Sequence, residues 1–144
     1  MKKVLTNSLS LKLTALSQNE SFARQSVCAF IAQLDPTLEE LSNVRIIVSE
    51  AVTNCVVHAY KKTSGDIFIS VKCYSDRSVR IKIKDRGCGI DDIEQAMAPF
   101  YTTDTLGERS GMGFAIMQSL SKKLTVRSEK SKGTSVDIYI KLGE

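Results

Sequence analysis

The chain has 144 residues, 42% of them hydrophobic and 25% charged, an ordinary balance for a soluble globular protein and a length that suits a single domain over residues 1–144. Its net charge of +4 comes from scattered lysines and arginines, which argues against a nucleic-acid-binding stripe and leaves acidic partners open. No apolar run is long enough to span a bilayer, "MKKVLTNSLSLKL" lacks a signal-peptide core, and Cys28, Cys55, Cys73 and Cys88 show neither CxxC pairing nor metal-ligand spacing, so they read as reduced thiols of a cytoplasmic protein.

In chain order, "SLSLKLTAL" (8–16) alternates, with Leu9, Leu11 and Leu13 on one face, and reads as a strand. Ser17 and Glu20 in "SQNE" have capping-box spacing and predict a helix to about Leu34. A second helix starts at "DPTLEE", either with Thr37 and Glu40 as a capping box or with Asp35 as the cap and Pro36 in the first turn. It runs through "LSNVRIIVSEAVTNCVVHAY" with an apolar stripe of Leu41, Val44, Val48, Val52 and Cys55, widened by Ala51 and Val56. "DIFISVKCYS" and "SVRIKIKD" are alternating strands joined by a turn at Asp76 and Arg77. Gly87 to Ser110 is irregular apart from a short helix near "DDIEQAM", and another helix covers about Gly113 to Ser121. "LTVRSEK" and "TSVDIYIKL" form a closing hairpin around "SKG". Five strands and three main helices predict a two-layer α/β (α+β) sandwich: a mixed, mainly antiparallel sheet with helices on one face.

Four constellations stand out. Glu50, Asn54 and His58 are spaced by four and share a helix face, away from the apolar stripe. On spacing alone a solvated face is the better reading. The alternative is a carboxylate base plus an amide oxygen for a hard cation such as Mg²⁺, which accepts oxygen ligands completed by waters and phosphates. "DRGCGI" (Asp85, Gly87, Gly89, Ile90) ends a strand. It is either a plain turn or a carboxylate for an exocyclic amine, with glycines that let the backbone approach a flat ring. "GERSGMGFAIM" places Gly111 and Gly113 at a helix entry beside Arg109. It reads as a flexible loop or as a phosphate cradle of backbone N–H groups and one fixed cation. Gly133-Thr134 in "KGTSV" is a turn by itself and matters only beside the second constellation.

The order of these boxes, spread over residues 49–136, resembles the GHKL ATPase/kinase superfamily and its Bergerat-type fold. "ALSQNESFAR", "FIAQLDPTLEEL", "VSEAVTNCVVHAY" and "ERSGMGFAIM" narrow the resemblance to the anti-sigma F family of sporulating bacteria, serine kinases that regulate transcription. General-stress anti-sigma kinases share the nucleotide boxes but not "ALSQNESFAR". The resemblance implies a homodimer that binds ATP or ADP with Mg²⁺. It implies inhibition of sigma factor F and phosphorylation of a serine on an anti-anti-sigma factor, without direct contact to nucleic acid or membrane. By position it makes Glu50 the general base and Asn54 the Mg²⁺ ligand, and it sets Asp85 on the adenine amine with Gly87, Gly89 and Ile90 shaping the pocket. Arg109, Ser110, Gly111, Met112 and Gly113 become the lid and phosphate cradle, with Thr102 and Thr103 in or near the lid. Thr134 falls near the adenine, His58 supports the helix end or the nucleotide-side hydrogen bonds, and Glu20 and Arg24 face the protein partners.

Two positions depart from the pattern: Asp104 stands in the lid where relatives often have Lys, and Ala59 replaces a glycine common after the histidine. A nucleotide-gated sigma-binding module with little kinase activity is the competing reading, which retention of Glu50 disfavours. A sensor histidine-kinase catalytic domain fits less well, because 144 residues leave no room for a helical phosphoacceptor domain.

Overall fold

A computed structural model describes residues 3–60, 64–90, 92–97 and 113–144. The elements are strand β1 (Leu5–Thr14), helices α1 (Asn19–Ala32) and α2 (Leu38–Asn54), a π-helical turn (Cys55–Ala59), strands β2 (Asp66–Tyr74) and β3 (Ser78–Asp85), helices α3 (Ile93–Met97) and α4 (Gly113–Leu120), and strands β4 (Lys123–Glu129) and β5 (Gly133–Lys141). The strands form one sheet in the order β1-β2-β3-β5-β4. The expected two-layer α+β architecture is present. All four described pairings are antiparallel, so the parallel component of the expected mixed sheet is absent among the described residues.

Period-two alternation produces the core. In β2, Ile67, Ile69, Val71 and Cys73 point to the helices; opposite them lie Ile83, Ile81 and Val79 of β3, then Val136 and Ile138 of β5. Lys72, Arg80, Lys82 and Lys84 occupy the other face and are exposed. The helices supply Ala23, Val27 and Ile31 from α1, Val44, Ile47, Val48, Ala51 and Val52 from α2, and Met117 from α4. Each large aliphatic side chain buried in this way contributes about 1.5–3 kcal/mol. Leu41 and Val56, expected in the stripe of α2, are only partly buried, and Ile47 takes a central place instead.

The helix starts divide the expectations. Thr37 caps α2: its hydroxyl accepts from the Glu40 N–H at 3.0 Å, and the Glu40 carboxylate accepts from the Thr37 N–H at 2.9 Å. Asp35 is left in the link before it, at φ 54°. The box expected at Ser17 and Glu20 does not form. Gln18 holds the cap position of α1 without a side-chain bond. Glu20 turns to α2, where its Oε2 lies 2.8 Å from the Thr53 hydroxyl, and its Oε1 is 3.7 Å from Arg24. A charged partner and a cross-helix hydroxyl outcompete a solvent-exposed helix end.

Glu40 also ties the start of α2 to the last residues of the chain, because its Oε2 accepts the Gly143 N–H at 2.7 Å. That bond, then the one from Thr37, holds the Glu40 pKa below its ordinary value of 4.5. A carboxylate depressed in the folded state adds stability that is present above its unfolded pKa and lost as pH falls through its folded pKa. Glu40→Gln is therefore expected to destabilise the protein near neutral pH, with the deficit shrinking on acidification. Urea unfolding at about pH 7 and about pH 3 checks this; an equal deficit at both contradicts it.

Candidate functional site

The alternation that buries Val79, Ile81 and Ile83 carries one step further to Asp85, whose side chain is thereby turned inward at the end of β3; the residue is 5% exposed. A buried carboxylate requires donors. Its Oδ1 accepts the N–H of Gly87 at 2.9 Å and of Thr134 at 3.1 Å, and its Oδ2 lies 3.7 Å from the Cys55 thiol. Burial pushes the Asp85 pKa up, and these three donors pull it back. A carboxylate has about four lone-pair sites. The described donors engage three, so Oδ2 keeps capacity for one further N–H. The expected contact with an exocyclic amine has the acceptor it needs.

α2 brings the second constellation to the same place. Cys55, on Asp85, follows Asn54 directly, and Glu50 precedes Asn54 by one helical turn. Both Glu50 and Asn54 are partly buried, so the row is not a fully solvated face. The Asn54 Nδ2 is buried and lacks a hydrogen-bond partner among the described residues, and such groups in native structures mark strain, function or an unrepresented ligand. His58 follows inside a π-helical turn, residues 55–59, and is partly buried like Glu50 and Asn54.

The π-helical turn abuts the loop after β3. The Cys88 N–H donates to the Ala59 carbonyl at 3.0 Å, and a Cβ at Gly87 would overlap that carbonyl. The glycine thus admits protein backbone at this point, where sequence reasoning expected a ligand ring. Tyr60 secures the junction, accepting from the Arg86 N–H at 2.6 Å and donating to the Asp66 carbonyl at 2.9 Å. Gly89, at φ 78°, packs against the Glu129 carbonyl. The β4–β5 turn closes the third side. Gly133 has φ 111°, a conformation open to glycine, and its Cα sits where any side chain would overlap the Asp85 carbonyl. This close approach delivers the Thr134 N–H to Asp85. The Thr134 hydroxyl lies 2.8 Å from the Ser128 hydroxyl, which accepts the Ile90 N–H at 2.7 Å.

Asp85, Gly87, Gly89, Ile90, Thr134 and the helix end carrying Asn54 therefore meet at one end of the sheet, and Gly113 opens α4. Glu20 and Arg24 are not isolated on the surface of α1: Arg24 donates to the Ser49 hydroxyl at 3.1 Å, one residue before Glu50. Thr102, Thr103, Asp104, Arg109, Ser110, Gly111 and Met112 lie outside the described residues. Sequence reasoning missed Cys55, Tyr60 and Ser128 as members of the site. Cys55 had been placed in the apolar stripe, and no pattern in the chain singles out a serine in an edge strand.

The described residues contain no cluster of three or more His, Cys, Asp or Glu side chains able to hold a metal. The donor set instead suits Mg²⁺, which is held by one or two protein oxygens with phosphates and waters. No described hydrogen bond fixes which way the Asn54 amide faces, so it can present its oxygen to a cation.

Residues 40–144 match the family model described as histidine kinase-, DNA gyrase B-, and HSP90-like ATPase. Among relatives, the anti-sigma F factor of Geobacillus sp. (strain WCH70) is 49% identical over 95% of this chain and 92% of its own length. That of Priestia megaterium is 46% identical over the same shares, and that of Clostridium acetobutylicum is 47% identical over 92% of each. Two solved structures share the fold at low identity. One holds the RsbU and RsbW domains of Rv1364c from Mycobacterium tuberculosis, with TM-score 0.68, 18% identity, and coverage of 95% of this chain and 33% of that one. The other is the histidine kinase domain of Erythrobacter litoralis EL346 blue-light activated histidine kinase, with TM-score 0.57, 22% identity, and coverage of 85% and 60%. With the end of α2, the loop after β3 and the β4–β5 turn meeting at Asp85 and near-full-length likeness to these relatives, the chain belongs to the histidine kinase-, DNA gyrase B- and HSP90-like ATPases and, within them, to the anti-sigma F factors.

Proposed function

We propose that this anti-sigma factor is an ATP-dependent serine kinase that phosphorylates an anti-anti-sigma factor and holds sigma factor F inactive, acting as a cytoplasmic homodimer built from a single domain. The observation that carries the reading is the convergence on Asp85: a buried carboxylate with capacity for one more N–H, beside the helix end that carries Glu50 and the unpartnered Asn54 amide. An adenine amine supplies one N–H, and a guanine carbonyl at the same ring position supplies none.

Each residue has a task in this reading. Asp85 accepts the adenine amine, and the Gly87 and Thr134 N–H groups hold the carboxylate in place. Asn54 is the residue that would hold Mg²⁺, which when bound neutralises charge on the phosphates. Glu50 accepts the proton of the partner's serine hydroxyl as that oxygen takes the γ-phosphoryl group from ATP, the bond to the β–γ bridging oxygen breaks and ADP leaves. The backbone N–H groups around Gly111 and Gly113, with Arg109, steady the phosphates. Little more is needed, because phosphoryl transfer is governed by positioning and charge stabilisation. Glu20 and Arg24 form the partner-facing surface, and their bonds to Thr53 and Ser49 link that surface to the helix carrying Glu50.

Incubation with Mg-ATP and the anti-anti-sigma protein of the same genome, followed by intact mass, tests the reaction. A single phosphoryl group on a partner serine is expected. It should be absent with Glu50→Gln, which removes the base and almost no volume, while ATP binding persists. Normal turnover by the variant contradicts the assignment of the base, and no added mass from the parent protein with ATP bound favours a gated clamp. Asn54→Ala is expected to weaken Mg-ATP binding by at least about tenfold, a loss typical of a missing charge-assisted contact; unchanged affinity by calorimetry contradicts the metal role.

A further inference from the structure

Cys55 is buried, sits where α2 passes into its π-helical turn, and places its sulfur 3.7 Å from Oδ2 of Asp85. We infer that Cys55 is a positioning residue for base specificity: its thiol fixes the plane of the Asp85 carboxylate so that the remaining acceptor site faces a 6-amino purine. The inference rests on the nucleotide-site reading above and deepens it.

The geometry of the carboxylate carries the argument. Oδ1 receives two N–H groups, both from backbone, one from the loop after β3 and one from β5. These pin one oxygen. Because the group is planar and Oδ1 lies off the bond that joins it to the side chain, they also limit its otherwise broad swing about that bond, and a further bond on the other oxygen narrows it more. The thiol reaches the other oxygen from a third element, α2. Three donors from three directions define a plane, and the last lone pair on Oδ2 then points one way. A ligand N–H on that line makes a charge-assisted bond. A ligand carbonyl there faces an acceptor, and a ligand with only C–H there gains nothing. A site built on a required N–H discriminates strongly against analogues that lack it.

The packing supports a polar role for the sulfur. Cys55 lies at the boundary between the apolar stripe of α2 and the polar site, and the neighbouring Val52 and Ala51 already fill the core side of the helix. A thiol is a weak donor, so its removal is expected to spread the aim of the carboxylate without emptying the pocket.

The test uses the full chain and three nucleotides: ATP, GTP and the 6-deamino analogue, purine riboside triphosphate. Affinities are measured by calorimetry for the parent protein and for Cys55→Ser, Cys55→Ala and Cys55→Val. Serine keeps a donor, valine keeps apolar bulk without one, and alanine matches serine closely in size while lacking the donor. The expected result is that Cys55→Ser preserves the preference for ATP over the 6-deamino analogue and over GTP, while Cys55→Ala and Cys55→Val each lower it about three- to tenfold, the worth of one modest hydrogen bond. A packing role moves all three nucleotides together and leaves the ratios as they were, and that outcome overturns the inference. If Cys55→Val does not fold, the size-matched serine and alanine pair decides alone. A parent protein that does not prefer ATP over the 6-deamino analogue overturns the nucleotide-site reading and this inference together. A parent preference that survives in the alanine variant overturns only the role of the thiol.

Discussion

A carboxylate inside a protein has to be given hydrogen bonds or it is forced toward its neutral form, and at Asp85 the need is met by three separate parts of the chain. The loop after β3 supplies the Gly87 N–H, the start of β5 supplies the Thr134 N–H, and the end of α2 supplies the Cys55 thiol. These segments are distant in sequence. Their meeting at one group brings the C-terminal end of the helix with Glu50 and Asn54 against the glycine-containing loops. The close contacts follow from the same demand: Gly133 lacks a side chain because the Asp85 carbonyl is in the way, and Gly87 lacks one because the Ala59 carbonyl is.

The sheet provides the fixed platform for this arrangement. β3 lies centrally, paired on both sides, and its register with β2 and β5 sets which residues face the helices. A one-residue slip would send Asp85 to the lysine-bearing outer face, where its charge would be solvated and its acceptor capacity satisfied by water. Helix α2 lies on the inner face of this platform and then changes pitch at Cys55–Ala59. The wider turn ends with the Ala59 carbonyl against the loop after β3, where it accepts the Cys88 N–H.

Much of the fold was legible because it is written in periodicity. The alternation in "DIFISVKCY" and "SVRIKIKD" gave β2 and β3 nearly to the residue, and the Thr37–Glu40 box marked the start of α2. Ser17 and Glu20 misled for a physical reason: the same spacing formed no cap because Glu20 found Thr53 across the helix pair and Arg24 one turn on along its own helix. Within the site, Asp85, Asn54 and Thr134 were visible as members of ordered boxes, and that order was informative where each box alone was ambiguous. Cys55, Tyr60 and Ser128 were not visible. Their roles come from contacts between residues 30, 26 and 38 positions apart, and no local pattern encodes them. The π-helical turn was equally hidden, since an uninterrupted apolar stripe predicts an uninterrupted α-helix.

The central claim is that Asp85 reads the nucleotide base, and calorimetry of Mg-ATP binding to Asp85→Asn tests it most directly. The amide keeps an oxygen for the Gly87 and Thr134 N–H groups and replaces Oδ2 with a donor, so the loop contacts survive while the polarity facing the ligand is inverted. The account predicts a fall in ATP affinity of at least about tenfold, in line with losing a hydrogen bond to a charged group, with the thermal unfolding transition retained. ATP affinity equal to that of the parent protein would contradict it.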